Sequence, residues 1–410
     1  MSASASAAAT ADPTPEVTRK TFRWDLVRGA CHGVLESVWQ AFALVIAIRY
    51  FHASETLKPF IAAGWGIGLL SAFFVMPLVA RMPVRQATAA AIFCAGGSVC
   101  LVGASFMPTI VGYVVLMLLF PVFVAQAATM LTQLLANNYP SQQRGKRLAA
   151  ANLLLASSSI GAATLFGWLL DADLENYRIL LWIAAGVGLV GSFAFWHIPS
   201  APAKDLTVRN PLQHLQLIRE DKTFRQMLIA WKLLGVGNLM MLPLRAEYLA
   251  NPQYGLQLSN TEISLLLVTN VAVFRILSTF VWGYLFDRFN LIYTRVAVNL
   301  CFFVYIAVFF NAREMWQLAI GTAFLGMAFG GGGILWQIWV TKVAPPPLVG
   351  AYMSIHGGLT GVRAALAPFL GYAILSYAQP SVTAWFSCLL IGTSTCMFLP
   401  LRHVLPERVQ

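Results

Sequence analysis

Twelve stretches of apolar residues, each long enough to cross a lipid bilayer, follow one another along this chain. A membrane-spanning helix needs about 20 residues to cross roughly 30 Å of hydrocarbon. The pattern predicts spans near residues 27–50, 60–80, 87–107, 110–135, 148–170, 179–197, 226–247, 263–286, 291–311, 315–341, 351–376 and 382–401. We therefore expect an all-α membrane protein with twelve transmembrane helices.

Polar segments divide the spans into two groups of six. Residues 199–222 predict a cytosolic linker between a bundle at 20–198 and a second bundle at 223–405, and Asn210 followed by Pro211 predicts the start of a short surface helix in that linker. Residues 1–19 lack a basic segment leading into a cleavable apolar core, so we expect a disordered cytosolic tail rather than a signal peptide.

The distribution of basic residues predicts the orientation of the chain. Only 10% of the residues are charged, against about 25% in soluble domains. If both termini are cytosolic, inner segments hold eighteen of the 27 Lys and Arg residues. Outer loops and span ends hold five, Arg49, Lys58, Arg178, Arg245 and Arg313. This bias predicts that the net charge of +11 faces the cytosol and the lipid headgroups rather than nucleic acid. We also expect a monomer in a plasma (inner) membrane.

Two copies of the tetrapeptide KTFR indicate an internal repeat. They lie at 20–23 and 222–225, and the same offset of 202 residues aligns Gly33 with Gly235. Offsets of 204 to 206 continue the match, for example Gly167 with Gly371. The chain is therefore predicted to consist of two pseudo-symmetric six-helix bundles with a cavity between them.

The chain resembles the major facilitator superfamily in three features. These are twelve spans in two groups of six, a basic middle loop and the segment GYLFDRFN. That family carries a G-x-x-x-D-R-x-G motif in the cytosolic turns after spans two and eight, and here Gly283, Asp287 and Arg288 match the second copy. The first copy has Ala80 where the Asp is expected, and the antiporter motif of span five is missing. The resemblance implies a transporter in which Asp287 and Arg288 close an inner gate.

Charged residues inside the spans are the candidates for function, because a charge at the bilayer centre costs at least about 2.5 kcal/mol. Once loops and span ends are set aside, one acid, Glu36, and four bases, Arg28, Lys232, Arg275 and Arg363, remain inside the spans. The excess of bases over acids predicts an anionic substrate, with Lys232 and Arg275 as secondary candidates for binding it.

A polar stripe on the first span predicts the proton-coupling site. Arg28, His32, Glu36 and Gln40 follow at four-residue spacing, with Trp39 on the same side. A desolvated Glu36 carboxyl would switch readily between charged and neutral forms. The alternative is a structural ion pair for Glu36, with His32 relaying protons or only satisfying the carboxyl.

Span eleven carries a second cluster of polar residues. His356, Thr360 and Arg363 lie on one helical face, and a guanidinium suits bidentate binding of a carboxylate or phosphate. The alternative is a permanent ion pair between Arg363 and Glu36. Further polar or aromatic candidates within spans are Gln126, Asn238, Trp336 and Gln337.

The sequence therefore predicts a proton-coupled secondary transporter, acting by symport on a small organic solute with anions favoured. The alternatives are a drug or metabolite exporter, or a non-transporting receptor or assembly factor with the same fold. An intramembrane enzyme is not expected, since H-E-x-x-H and G-x-S-x-G motifs are missing. No metal or cofactor is predicted, and all six cysteines fall inside spans as small core residues.

Overall fold

The structure is a computed structural model that describes residues 13–206 and 211–403. Within those ranges, twelve helices are long and apolar enough to cross a membrane. They are α1 Pro15–Arg49, α2 Lys58–Val79, α3 Gln86–Ser105, α4 Ile110–Asn138, α5 Ser141–Ala172, α6 Leu174–His197, α7 Lys222–Ala250, α8 Asn260–Arg288, α9 Leu291–Phe309, α10 Met315–Val343, α11 Pro346–Leu375 and α12 Pro380–His403. The predicted fold class is confirmed, and the described residues contain no β-strand.

Helix α1 begins earlier than the sequence pattern predicts. Thr14 caps it by accepting a hydrogen bond from the backbone N–H of Val17, and Pro15 occupies the first turn, where its missing N–H costs nothing. The predicted disordered tail is therefore wrong for residues 15–19, which are helical, while residues 1–12 lie outside the described structure.

Where it is described, the segment between α6 and α7 contains short helical turns. A 3-10 turn spans Pro211–His214 and a five-residue helix spans Gln216–Glu220. Asn210, the predicted cap, lies outside the described residues. We call the end of the molecule that carries this segment the linker end, and the opposite end, where α1 runs into α2, the far end.

The repeated glycines mark equivalent helix crossings in the two halves. In the first half (α1–α6), a Cβ added at Gly33 would lie 2.0 Å from the carbonyl oxygen of Leu155 on α5. In the second half (α7–α12), a Cβ at Gly235 would lie 2.4 Å from Cδ of Arg363 on α11. Both positions allow the first helix of a half to approach the fifth closely.

Charged side chains join the two halves at the far end. The ammonium of Lys58 on α2 lies 2.8 Å from a carboxylate oxygen of Glu247 on α7, and both side chains are almost fully buried. The guanidinium of Arg49 donates to the carbonyls of Ala250 and Leu258 and to the side chain of Asn260. These contacts close the far end.

A carboxylate from the first half also caps the N-terminus of α8 in the second half. Asp171 on α5 accepts hydrogen bonds from the backbone N–H groups of Asn260 and Thr261, at 2.6 and 3.0 Å. These are N-terminal donors of α8 that lack helical partners, and the negative charge suits the helix dipole there.

Toward the linker end, α2 and α11 separate. Near the far end the rings of Phe60 and Phe369 pack edge to face at 4.9 Å, and a Cβ added at Gly361 would lie 2.9 Å from the side chain of Leu70. One turn further, a Cβ at Gly357 would meet nothing within 4 Å, and Phe74 is exposed. The two halves therefore part on the linker side.

The crossing at Gly33 predicts a large effect of a single methyl group. Gly33→Ala should lower the free energy of unfolding by about 1–3 kcal/mol, because backbone atoms of α5 would have to shift. Gly161→Ala on α5 is the matched control, since its new Cβ would meet nothing within 4 Å. Thermal unfolding of both variants in detergent tests this, and equal melting temperatures would contradict the close packing.

Candidate functional site

A cavity of about 350 Å³ lies between the two halves. Helices α1 and α2 form its wall on one side, and α7 and α11 form the other. Its lining residues are His32, Glu36, Trp39, Gln40, Leu44, Ala62, Trp65, Gly66, Leu239, Leu242, Pro243, Arg245, Ala364 and Pro368. The volume falls within the range of small-molecule sites, and the lining combines an apolar majority with a few polar groups, as such sites usually do.

A smaller cavity of about 30 Å³ shares part of this lining. Glu36, Gln40 and Arg245 face both cavities, and the smaller one adds Arg275 of α8 and Ser159 of α5. The two cavities therefore meet around the Glu36 side chain, and five helices from both halves line the smaller one.

Two π-helical turns lie beside these cavities. One spans Val38–Phe42 within α1, and the other spans Leu265–Asn270 within α8. The two turns contact each other across the halves. Such turns are rare and occur frequently at functional sites. The first carries Trp39 and Gln40 into the larger cavity, and the second lines the smaller one.

Glu36 forms an ion pair across the two halves. One of its carboxylate oxygens lies 3.5 Å from a terminal nitrogen of Arg275, and the two side chains are 18% and 32% exposed. The predicted structural alternative, a pair between Glu36 and Arg363, is therefore wrong about the partner. Partial exposure weakens the attraction, so this pair is easier to break than a dry one.

Aromatic rings build one wall of the larger cavity. The indoles of Trp39 and Trp65 stack with ring centroids 5.5 Å apart and planes inclined by 18°. His32 meets Trp39 edge to face at 5.3 Å, and Phe120 packs behind Trp39 at 5.9 Å. His32 thus faces the cavity as predicted by its spacing, but no hydrogen bond joins it to Glu36 in the described structure.

Arg28, the first member of the predicted stripe, lies outside both cavities. Its Nε donates to the buried Asp25 carboxylate at 2.8 Å, and the Tyr139 hydroxyl donates to the other oxygen at 2.9 Å. Burial, followed by the Asp25 charge, raises the pKa of the Tyr139 hydroxyl at the turn between α4 and α5. Asp25, like Glu247, is thus a buried acid that the sequence analysis did not count inside a span.

The predicted anion clamp on α11 does not reach the cavity. Arg363 is buried between α11 and α7, where it donates to the carbonyl of Trp231 and to the Thr360 hydroxyl. His356 is also buried, and its Nε2 accepts a hydrogen bond from Trp339 at 3.2 Å. In this conformation both residues stabilise the second half instead of facing a solute.

The remaining polar candidates take different places. Gln126 donates to the carbonyl of Gly68 and to the Ser71 hydroxyl, which ties α4 to α2. Trp336 donates to the Thr360 hydroxyl, and Asn238 is buried outside both cavities.

Two candidates remain on the second half. Lys232 is exposed, seven residues before the cavity residue Leu239 and so on the same face of α7. Gln337 lies on α10, but its side chain is outside the described structure.

The motif residues at the end of α8 form no hydrogen bond or ion pair with the first half in the described structure. Arg288 lies over the ring of Tyr284 on its own helix at 4.7 Å, and Asp287 is exposed. The first turn of α11, at Pro346–Leu348, is exposed as well. A Cβ at Gly283 would meet nothing within 4 Å. The predicted gate is therefore not engaged while the linker end is open.

Sequence reasoning missed Arg245. It was counted among basic residues at outer span ends, yet α7 continues to Ala250 and Arg245 is only 2% exposed. Its Nε donates to the carbonyl of Leu242, while one terminal nitrogen is buried without a hydrogen-bond partner in the described chain. A basic residue on the side where the positive-inside bias disfavours it was the available signal.

Comparison with known proteins agrees with this architecture. Residues 233–409 match the family model described as Major Facilitator Superfamily. The nucleoside transporter NupG is similar in structure, with a TM-score of 0.73 at 13% identity over 93% of this chain and 99% of that one. A search of curated protein sequences gave no match.

Two further solved structures share the fold. A POT family transporter in complex with 5-aminolevulinic acid has a TM-score of 0.72 at 10% identity, over 96% of this chain and 97% of that one. A D-xylose-proton symporter has a TM-score of 0.66 at 14% identity over the same shares. The second half of this integral membrane protein thus matches the major facilitator superfamily model, and the whole chain has the fold of these solved transporters.

Proposed function

We propose that this protein is a proton-coupled secondary transporter that moves a small organic solute by symport through alternating access of its two halves. Both termini are cytosolic in this proposal, so the linker end faces the cytosol of a plasma (inner) membrane protein. The observation that carries it is the ion pair between Glu36 and Arg275, which joins the two halves at the wall of a central cavity.

The pair links protonation to the position of the halves. While the Glu36 carboxylate is charged, it attracts the Arg275 guanidinium and holds α1 against α8. A proton that adds to a carboxylate oxygen gives a neutral acid, and that attraction is lost. Leaving Arg275 without a counter-charge costs free energy. This cost favours either the loss of the proton from Glu36 or the entry of an anion beside Arg275.

The contacts at the two ends support alternating access. Lys58 and Glu247 close the far end, and the linker end is open. A second state that opens the far end has to break this pair, which becomes favourable only if other contacts form at the linker end. Asp287 and Arg288, which are exposed at the linker end of α8, are our candidates to supply them. The solved structure named a D-xylose-proton symporter supports proton coupling on this fold.

Replacing the carboxyl tests the coupling. Glu36→Gln should abolish pH-driven accumulation in proteoliposomes and leave solute exchange measurable, because the amide resembles the protonated acid. The solute is the first hit from a screen of organic anions, sugars and amphipathic cations. Because the pair is partly exposed, the free energy of unfolding should fall by only about 1 kcal/mol or less.

The comparison with Arg275→Gln and the double variant separates coupling from structure. If Glu36 served only to neutralise Arg275, the single variants would melt at lower temperature, the double variant would recover, and pH-driven uptake would persist. That combination would overturn the coupling role. Absence of flux for every solute would instead favour a receptor.

The far-end pair predicts how to shift the conformational equilibrium. Lys58→Met should open the far end more often, since Glu247 loses its buried counter-charge. A cysteine at Ala62 in the cavity should then react several-fold faster with an impermeant maleimide added at the far end, in a background where the exposed Cys396 is Ser. The control is Lys342→Met at the linker end. Equal rates in both variants would rule out a gating role for the pair.

The motif at the end of α8 predicts a kinetic effect. Asp287→Asn should lower turnover and leave solute affinity nearly unchanged, because the side chain lies far from the cavity and acts only when the linker end closes. Glu220→Gln, another exposed acid at this end, is the control. Transport rate and equilibrium binding are measured in parallel, and an equally large loss of affinity would argue against gating.

A further inference from the structure

Arg245 is the one cavity-lining arginine in the described chain that has no acidic partner. Of the three charged residues that line the two cavities, Glu36 and Arg275 pair with each other. Arg245 faces both cavities, is 2% exposed, and keeps one terminal nitrogen without a hydrogen-bond partner. A buried guanidinium in this situation costs free energy until an anion binds to it.

The charge of the cavity limits the charge of its occupant. With His32 neutral, two guanidiniums and one carboxylate leave one net positive charge around the cavities. A single carboxylate neutralises that charge, whereas a dianion would leave an excess negative charge in an apolar setting. A neutral solute would leave Arg245 as it is.

The walls of the cavity limit the shape of the occupant. Trp39 and Trp65 form a flat double layer, held from behind by Phe120. Across the cavity lie the apolar side chains of Leu242 and Pro243, adjacent in sequence to the Arg245 turn. A planar ring between these surfaces would bury apolar area on both faces and stack on the indoles.

Building on the proposed function, we propose that the solute is an aromatic monocarboxylate, with Arg245 binding its carboxylate and the Trp39–Trp65 wall packing against its ring. This assigns Arg245 the role that the sequence analysis gave to Arg363. Arg245 is a binding residue for the solute, and Glu36 with Arg275 remains the coupling pair.

Equilibrium binding to the purified full-length chain tests this assignment without a proton gradient. The probe is indole-3-acetate, and the matched neutral probe is indole-3-acetamide, which has the same ring and nearly the same size. The anion should raise the melting temperature and bind at least about tenfold more tightly than the amide, since the amide has one accepting oxygen instead of two and lacks the negative charge that attracts Arg245.

Variants test separately the residue that binds the carboxylate and the residue that packs against the ring. Arg245→Gln should remove the preference for the anion, Arg245→Lys should keep part of it, and Arg19→Gln, an exposed arginine on α1, should keep all of it. Trp65→Leu should weaken binding of indole-3-acetate several-fold more than binding of hexanoate. Size-exclusion profiles and melting temperatures without ligand show that each variant is folded.

The outcomes separate this inference from the proposed function. Equal binding of anion and amide, or an unchanged preference in Arg245→Gln, overturns the assignment even if the protein transports another solute with protons. Selective binding of the anion that depends on Arg245, without pH-driven flux, supports the binding site and overturns the transport proposal.

Discussion

A charge buried in an apolar span needs a partner, and most of this architecture follows from how the chain meets that requirement. Within the first half, Asp25 and Arg28 pair locally on one helix. Between the halves, Lys58 pairs with Glu247 at the closed end. A local pair stabilises one bundle in every state, whereas a pair between bundles stabilises only the states in which both bundles meet. The second kind therefore determines which conformation the protein adopts.

The equivalent helix crossings in the two halves accommodate different groups. Gly33 leaves room for the backbone of α5, and Gly235 leaves room for the side chain of Arg363. The first half can therefore keep its first helix polar toward the cavity, at Glu36 and its neighbours. The second half encloses Arg363 and His356 among tryptophans and contributes mainly apolar surface to the cavity, with Arg245 as the exception.

Hydropathy predicted all twelve spans because the length of a bilayer crossing is a local property of the sequence. Four-residue spacing likewise predicted that His32, Glu36 and Gln40 share a face, and they do. The partner of Glu36 could not be predicted in this way, because the choice between Arg275 and Arg363 depends on which helices from different halves meet. Arg245 was missed since the end of its helix could not be fixed within a turn.

The paired π turns give α1 and α8 a property that straight helices lack. Each π turn holds one residue more than an α turn, so its conversion to regular α geometry would rotate the rest of the helix by about 100° about its own axis. Such a rotation exchanges the side chains that face the cavity without a large displacement of the helix. The site could thus change its chemical surface by a screw motion in these two segments, while the bundles around them stay packed.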